Sequence, residues 1–444
     1  MSFKLCLVNP MATSLPVIDI YEPLSLVALG TYLHHAGVLV KIVDESIGED
    51  VFNEVEAFEP DLVGFTATTY TYPRAVFLGN QVKQKGFCTV IGGVHVSALP
   101  EQAIQDGFDM VVVGEGEKML LEIVEKGYKR GIFKPTADMI LSESEIPFLD
   151  KTLIKLERYT KFSKKSVLQG DFLGTHLLGM RGCPHKCIFC YNSGRQYPLR
   201  ILSAKRIFAE VKNTIEVTGI RHIVFHDDNF FVSRQRVKEF CQLVIQEKLK
   251  FTWACSARSG SVDEETISLA ADSGCRRIGF GFESGSQQVL DRMEKGLSVE
   301  QNLAAARLCH QYKIELLAYM IVGNPGEQVK DIMLTKKFIK KASPDYASVT
   351  RLCPYPGTVL WKWCEDEGYI HHIDFKKLNF RDADIQIPGT FSPSVVGKIR
   401  MQLFLWSCWV LPKMRKRLVR GIFRQLSVFF MVLICRYSYR PTKK

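Results

Sequence analysis

Within the stretch MRGCPHKCIFCYNSG, residues 180–194, three of the chain's thirteen cysteines fall inside eight positions. Cys183, Cys187 and Cys190 have the spacing CxxxCxxC, which lets one short loop wrap a metal cluster and offer thiolates to three of its corners. An iron–sulfur cube takes one cysteine per iron, so three cysteines leave one iron open to a ligand that is not protein. Structural zinc is the alternative, with His185 or a remote cysteine as fourth ligand, although such sites more commonly show paired CxxC knuckles. No Ser-His-Asp or Cys-His constellation stands out, so no side chain is marked as a catalytic nucleophile or base. The other cysteines form no regular framework, and MSFKLCLVNP holds too short an apolar run for a signal peptide. The expected setting is therefore a reducing cytoplasm, where clustered thiols ligate metal or catalyse rather than cross-link.

The elements that must position this loop come in two sets. A chain of 444 residues with 46% hydrophobic content can fill two or three cores rather than one. The first third alternates buried-strand runs (FKLCLVNP, VLVKIVDES, DLVGFTATT, CTVIGG, MVVVGEGE) with helical patterns, which predicts a Rossmann-like parallel sheet over residues 1–130. Such sheets bind ligands at the carboxyl ends of their strands, here Asn9-Pro10, Thr66-Ala67-Thr68, Gly92-Gly93-Val94-His95 and Gly114-Glu115-Gly116. No GxGxxG fingerprint is present, which argues against a nicotinamide cofactor. Residues 131–172 read as a connector. Over 173–365 the alternation resumes with THLLGM, HIVFHDDNF, FTWACSAR, RIGFGFES, ELLAYMIVG and YASVTRLC, six strand–helix repeats that suggest a partial (β/α)6 barrel. The three cysteines fall in the loop after the first of these strands.

With an aromatic residue, Phe189, before the last cysteine, the motif and its place resemble the radical S-adenosylmethionine (SAM) superfamily. The resemblance implies a 4Fe-4S cluster on Cys183, Cys187 and Cys190, whose open iron chelates SAM, and a 5′-deoxyadenosyl radical made by one-electron cleavage of SAM. It continues along the chain. HDDNFF places Asp227, Asp228 and Asn229 near the SAM amino group, and CSAR places Arg258 at the SAM carboxylate. GFGFESGS puts Glu283 and Ser284 at the ribose and methionine contacts, while MIVGNPGE, with Gly323, and RLCPYPGT, with Tyr355, close the last strands near the adenine. Tyr191, Tyr355 and Cys353 fall near this site as candidate hydrogen donors or electron relays.

GGVHVSALPEQAI and VVVGEGE are similar to the cobalamin-binding domain of one branch of the superfamily. The match implies cobalamin contacts at Thr66, Thr68, Gly92, Gly93, Gly114 and Glu115. The DxHxxG motif that supplies a lower cobalt ligand elsewhere is absent, DESIGED standing in its place, and His95 reads as a hydrogen-bonded structural residue. Two cofactors imply methylation of an unactivated carbon by a cobalamin-dependent C-methyltransferase, on a lipid-like or natural-product small molecule. Oxidative cyclisation, rearrangement or crosslinking without methyl transfer shares every one of these motifs. A flavodoxin or ferredoxin is the expected electron donor.

The net charge of +11 does not indicate nucleic acid, because no recognisable RNA- or DNA-binding motif interleaves basic and aromatic residues. The excess is C-terminal, from Lys413 to Lys444, in a basic, apolar helical segment over 366–444. Its longest uncharged run near the end, QLSVFFMVLIC, is about half of the roughly twenty residues a bilayer crossing needs. Two uses are expected: a helix pair on an anionic membrane surface with Trp406 and Trp409 at the interface, or a cap on the barrel burying Leu403, Phe404, Phe429 and Phe430.

Overall fold

The computed structural model describes residues 2–12, 20–163, 174–194, 198–370, 373–379 and 384–416. Phe429, Phe430 and the basic residues from Arg417 onward lie outside them.

The first sheet has six parallel strands: β1 (Lys4–Asn9), β2 (Leu39–Asp44), β3 (Leu62–Thr66), β4 (Thr89–Gly92), β5 (Met110–Val112) and β6 (Gly131–Phe133), in the order β2-β1-β3-β4-β5-β6. Helices cover both faces, which is why the central strands are apolar at consecutive positions: Leu5, Cys6, Leu7 and Val8 are all buried. The order reverses between β1 and β3, and the crevice of a doubly wound sheet opens at that switch point, between the ends of Asn9 and Thr66. One boundary moves. Gly131–Phe133 pairs in register with Met110–Val112, so the first domain extends past residue 130 and the connector begins after Phe133. Three isolated apolar residues beside a basic turn carry too short a pattern to show this in sequence.

The second sheet is also parallel: β7 (Thr175–Leu177), then, after the short antiparallel pair β8 (Met180–Arg181) and β9 (Arg200–Ile201), β10 (His222–Phe225), β11 (Thr252–Ala257), β12 (Cys275–Glu283), β13 (Glu315–Val322) and β14 (Tyr346–Arg351). The order β14-β13-β12-β11-β10-β7 leaves β7 and β14 as edges, so the barrel is partial. Outward residues such as Phe225, Phe280 and Phe282 are fully buried beneath helices. Their inward neighbours Val224, Ser256, Gly281, Ile321 and Thr350 are only partly buried, and Tyr319 is 39% exposed in the middle of a sheet. The concave face is therefore an open lumen rather than a packed core.

The connector ties the two sheets together. Lys151 of the connector donates to Glu22 Oε2 of the first domain at 2.5 Å and to the His176 carbonyl of β7 at 2.6 Å, all three residues being buried. Tyr159 donates to Asp44 Oδ2 at the end of β2 at 2.6 Å. At the far edge, the helix Pro393–Val410 packs Val396, Leu403, Ser407 and Cys408 into the barrel's outer layer beside β14. Lys413 beyond it pairs with Glu315 and Asp345 at 2.8 and 2.9 Å. This part of the C-terminal segment caps the barrel, with Phe404 half-buried, while Trp409 stays outside. Among the described residues no helix is long and apolar enough to cross a membrane.

Candidate active site

The cysteine loop is fixed at its root and at its middle. Asp227, buried at the end of β10, accepts the Gly179 and Met180 N–H groups at 2.6 and 3.2 Å, and Arg236 donates to the Gly179 carbonyl at 2.7 Å. Between the second and third cysteines, Ile188 exchanges backbone hydrogen bonds with Met293 and Leu360. Its side chain, with Phe189, packs against Val289, Met293 and Leu360, so the apolar pair inside the motif is the loop's anchor. The Cys190 N–H closes a turn on the Cys187 carbonyl at 2.9 Å.

Burial pushes the Cys183 thiol above its ordinary range and the Cys190 thiol up to about 11. Both therefore stay protonated at neutral pH unless a metal displaces the proton. A positive wall stands opposite. Arg258 Nη1 donates to Cys187 Sγ at 3.6 Å, and His185 is held below its usual range by burial and by the charges of Arg258 and Lys295. A cleft of about 330 Å³ opens here between His185, Lys186, Arg258, Ser261, Lys295 and Gln301. Among the described residues no three His, Cys, Asp or Glu side chains are placed to hold one metal ion. A cube makes no such demand, since each thiolate takes its own iron. The donor set therefore fits a cluster of three thiolates, whose net negative charge suits a buried guanidinium.

The residues implicated in SAM binding separate into two groups. Around the mouth stand Arg258, Asp228, which accepts from Asn192 Nδ2 at 2.7 Å, and Glu283, whose carboxylate pairs with buried Lys295 at 2.7 Å. Glu283 adopts a φ of 61°, strain kept by a non-glycine residue at a strand end. The others act from behind. Asn229 accepts the Arg258 N–H at 3.1 Å and donates to Ser261 at 2.9 Å, so it sets the turn that presents Arg258. Asp227 faces the loop root, Ser284 is buried against Thr335, and Tyr355 packs beside Cys353 and Leu378. Gly323, at φ 86°, gives its N–H to Glu327 at 2.6 Å and has no room for a side chain, because Val396 lies 2.8 Å from where a Cβ would be. Tyr191 packs across Gly357 with Ala98 of the first domain.

In the first domain the strand ends form a bare backbone cradle. Gly93 has φ 105°, and a Cβ there would meet the Ala67 carbonyl at 2.7 Å. Ala67 and His95 donate to the Gly92 and Ala67 carbonyls at 3.0 and 3.2 Å, and Gly114 donates to Ser97 Oγ at 2.8 Å. Thr66 flanks Gly93, and the Thr68 hydroxyl is bonded to Thr71 at 3.0 Å. A ledge lined by Gly92, Gly93 and Gly114 fits a broad flat ligand. His95 lies walled in by Tyr72 and Phe375, with ring centres 4.1 and 4.7 Å away, and burial holds its imidazole down to about 4. Glu115 reaches the barrel instead, pairing with Arg200 and with Arg181 at 3.1 Å; Arg181 also meets Glu117 at 2.7 Å. Those arginines belong to the β8–β9 pair at the base of the cysteine loop. The ion pairs thus bring the strand ends of one sheet against the cluster loop of the other.

The sequence motifs gave no role to the groups between them, although His226 opens HDDNFF. Tyr21, His176 and His226 form an edge-to-face trio with centroids 4.6 to 5.6 Å apart. His226 is exposed at the end of β10, and burial among its neighbours holds its pKa below the ordinary value, at about 3. The only sequence signal was its position at a strand end, directly before Asp227.

Comparison with known proteins gives the same two-part division. Residues 17–124 match the B12 binding domain family, and residues 177–339 match the Radical SAM superfamily. An uncharacterized methyltransferase of Pyrococcus horikoshii is 27% identical over 90% of this chain and 93% of its own. The anaerobic magnesium-protoporphyrin IX monomethyl ester cyclase of Rubrivivax gelatinosus is 26% identical over 81% and 69%. The solved structure of the cobalamin-dependent SAM radical enzyme OxsB, with aqua-cobalamin and SAM bound, superposes with a TM-score of 0.70 at 17% identity, covering 100% of this chain and 74% of that one. A cobalamin-type strand-end ledge joined through ion pairs to a three-cysteine barrel loop has the domain order of this group, and the chain belongs to the cobalamin-dependent radical SAM enzymes.

Proposed function

We propose that the chain is a radical SAM C-methyltransferase acting on an unactivated carbon of a hydrophobic or natural-product small molecule. The observation that carries this is the pairing of Glu115 with Arg181 and Arg200, because it holds the first domain's strand ends against the cluster loop. When bound, the reduced cluster and SAM supply a carbon-centred radical, and cobalamin supplies a transferable methyl group. The chain's own residues bind and orient. Cys183, Cys187 and Cys190 would hold the cluster, with Arg258 offsetting its charge. Asp228 and Glu283, with Lys295, would receive the polar end of SAM, and the turns at Gly323 and Tyr355 would border its adenine. Thr66, Thr68, Gly92, Gly93 and Gly114 would carry the corrin, whereas Glu115 serves as the interdomain tie.

The lumen supports a hydrophobic substrate. Tyr319 and Ile321 line it, and His226 and Tyr21 stand at its edge as neutral rings that can accept or donate one hydrogen bond. Electrons would come from a flavodoxin or ferredoxin in a reducing cytoplasm. Contact of the C-terminal segment with an anionic membrane surface belongs to the same reading, since a hydrophobic substrate would be met there. A second reading, oxidative cyclisation without methyl transfer, is supported by the similarity to the Rubrivivax gelatinosus cyclase. Anaerobic reconstitution with iron, sulfide and hydroxocobalamin, followed by SAM and a strong reductant, separates the two. S-adenosylhomocysteine together with 5′-deoxyadenosine supports methyl transfer. 5′-Deoxyadenosine alone supports the cyclase-type reaction, and neither product from cluster-loaded protein refutes both.

A further inference from the structure

The helices Val329–Ala342 and Pro393–Val410 lie side by side on the outside of the barrel, where Lys336 Nζ stands 5.9 Å from the ring centre of Trp406. On the first helix Ile332, Phe338 and Ile339 turn into the core, while Val329 and Met333 are 65% and 57% exposed and Leu334 is exposed beside them. Lys330, Lys337, Lys340 and Lys341 share that outer face, and Lys336 borders it. The helix's one acid, Asp331, is buried, accepting from Ser286 Oγ at 2.6 Å, so no carboxylate of this helix faces outward. Among the described residues none of these five lysines is paired with a carboxylate.

The second helix repeats the pattern. Its inner face is buried, whereas Met401, Leu405 and Trp409 point away from the barrel, Trp409 at 69% exposure, with Lys398 among them. The helix contains no acidic residue. Exposed Arg415 and Lys416 follow it, and residues 417–444 add seven basic residues and no acid. A purely apolar face would suit a protein partner, and a purely basic one would suit a polyanion. Aliphatic side chains and a tryptophan set among unpaired lysines match the boundary of an anionic bilayer, where apolar groups enter the headgroup layer and ammonium groups meet phosphate.

We propose that the paired outer faces of helices Val329–Ala342 and Pro393–Val410 dock on an anionic phospholipid surface. This deepens the membrane contact proposed above by assigning it to a folded face of the barrel rather than to the tail, and it does not depend on methyl transfer.

The test is flotation of the full chain with vesicles of mixed phosphatidylcholine and phosphatidylglycerol, against vesicles of phosphatidylcholine alone, at low and high salt. The expected result is binding to the anionic vesicles only, weakened by salt. The double variant K337E/K340E should reduce binding at least about 25-fold, taking about fivefold for each cationic charge lost near the surface. Its thermal unfolding should match the parent, because both side chains are solvated. Vesicles made with brominated lipid should quench the parent's tryptophan emission and quench W409F less. Unchanged binding by K337E/K340E would overturn the proposal by placing all affinity in the tail. Failure of the full chain to bind anionic vesicles would overturn it as well, leaving the face to the tail or a protein partner. Products formed from SAM are read separately, so failure here leaves the enzymatic reading standing.

Discussion

Lys151→Met tests how the two cofactor-binding halves are held in place. The Lys151 and Glu22 side chains are 2% and 0% exposed, and the ammonium also serves the His176 carbonyl. Methionine fills similar volume but leaves the Glu22 carboxylate buried with only its His176 contacts and no cation, which costs about 3–5 kcal/mol. The shift of the Glu22 carboxyl gives a matching figure. Burial raises the Glu22 pKa, but the charge of Lys151 and hydrogen bonds from His176 and Lys151 outweigh it and bring the group from 4.5 down to about 2. That difference is worth about 3 kcal/mol. The folded pKa is depressed, so this stability is present above pH 4.5 and is lost as pH falls toward 2. Without Lys151 burial dominates and Glu22 folds protonated, so the cost of the variant should shrink as pH falls. The assay is urea unfolding followed by tryptophan emission, at neutral pH and near pH 4, for Lys151→Met, Glu22→Gln and the double variant. The double variant should recover most of the loss, because two neutral groups replace one stranded charge. A single variant within about 1 kcal/mol of the parent at neutral pH, or a double variant no more stable than Lys151→Met, would refute the reasoning.

Alanine at Cys183, Cys187 or Cys190 should each abolish the iron-dependent visible absorption and 5′-deoxyadenosine formation while leaving the far-ultraviolet circular dichroism unchanged; zinc in place of iron in the purified parent would contradict the cube. Glu115→Ala leaves Arg200 with no carboxylate and Arg181 with Glu117 alone, and should cost about 1–3 kcal/mol, appearing as faster proteolysis between residues 134 and 174. His226→Ala should lower kcat/KM with iron and cobalamin content unchanged, since its ring packs against Tyr21 and His176. Burial holds the folded His226 below its ordinary value, at about 3. It therefore favours unfolding progressively as pH drops from about 6.5 toward 3, and the alanine variant should lose part of that acid sensitivity.

The chemistry was legible because its determinants are local. Three thiols within one loop are offered together to a metal cluster wherever that loop goes, and the strand-end motifs from Asp227 to Tyr355 follow the barrel's repeat. Hydrophobic runs likewise showed both parallel sheets, apart from the short strand Gly131–Phe133, whose pattern was too brief to read. The roles within the motifs were less legible. Asp227 and Asn229 hold backbone, Glu115 ties two domains, and Tyr319 and His226, the latter inside HDDNFF, were given no role by any motif. The outward helix Val329–Ala342 carried no motif, and only the structure shows that its one acid, Asp331, is buried.

By itself the sequence determined the two domain types, their order and the cluster-binding loop, because side-chain period and ligand spacing act over a few residues. Only the tertiary structure decided which charges meet. Lys151 finds Glu22 across 129 positions and Arg200 finds Glu115 across 85, and such pairs exist only where burial excludes water and makes an unpaired charge costly. Packing likewise seals one histidine, His95, beneath the rings of Tyr72 and Phe375 while another, His226, stays exposed at a barrel strand end.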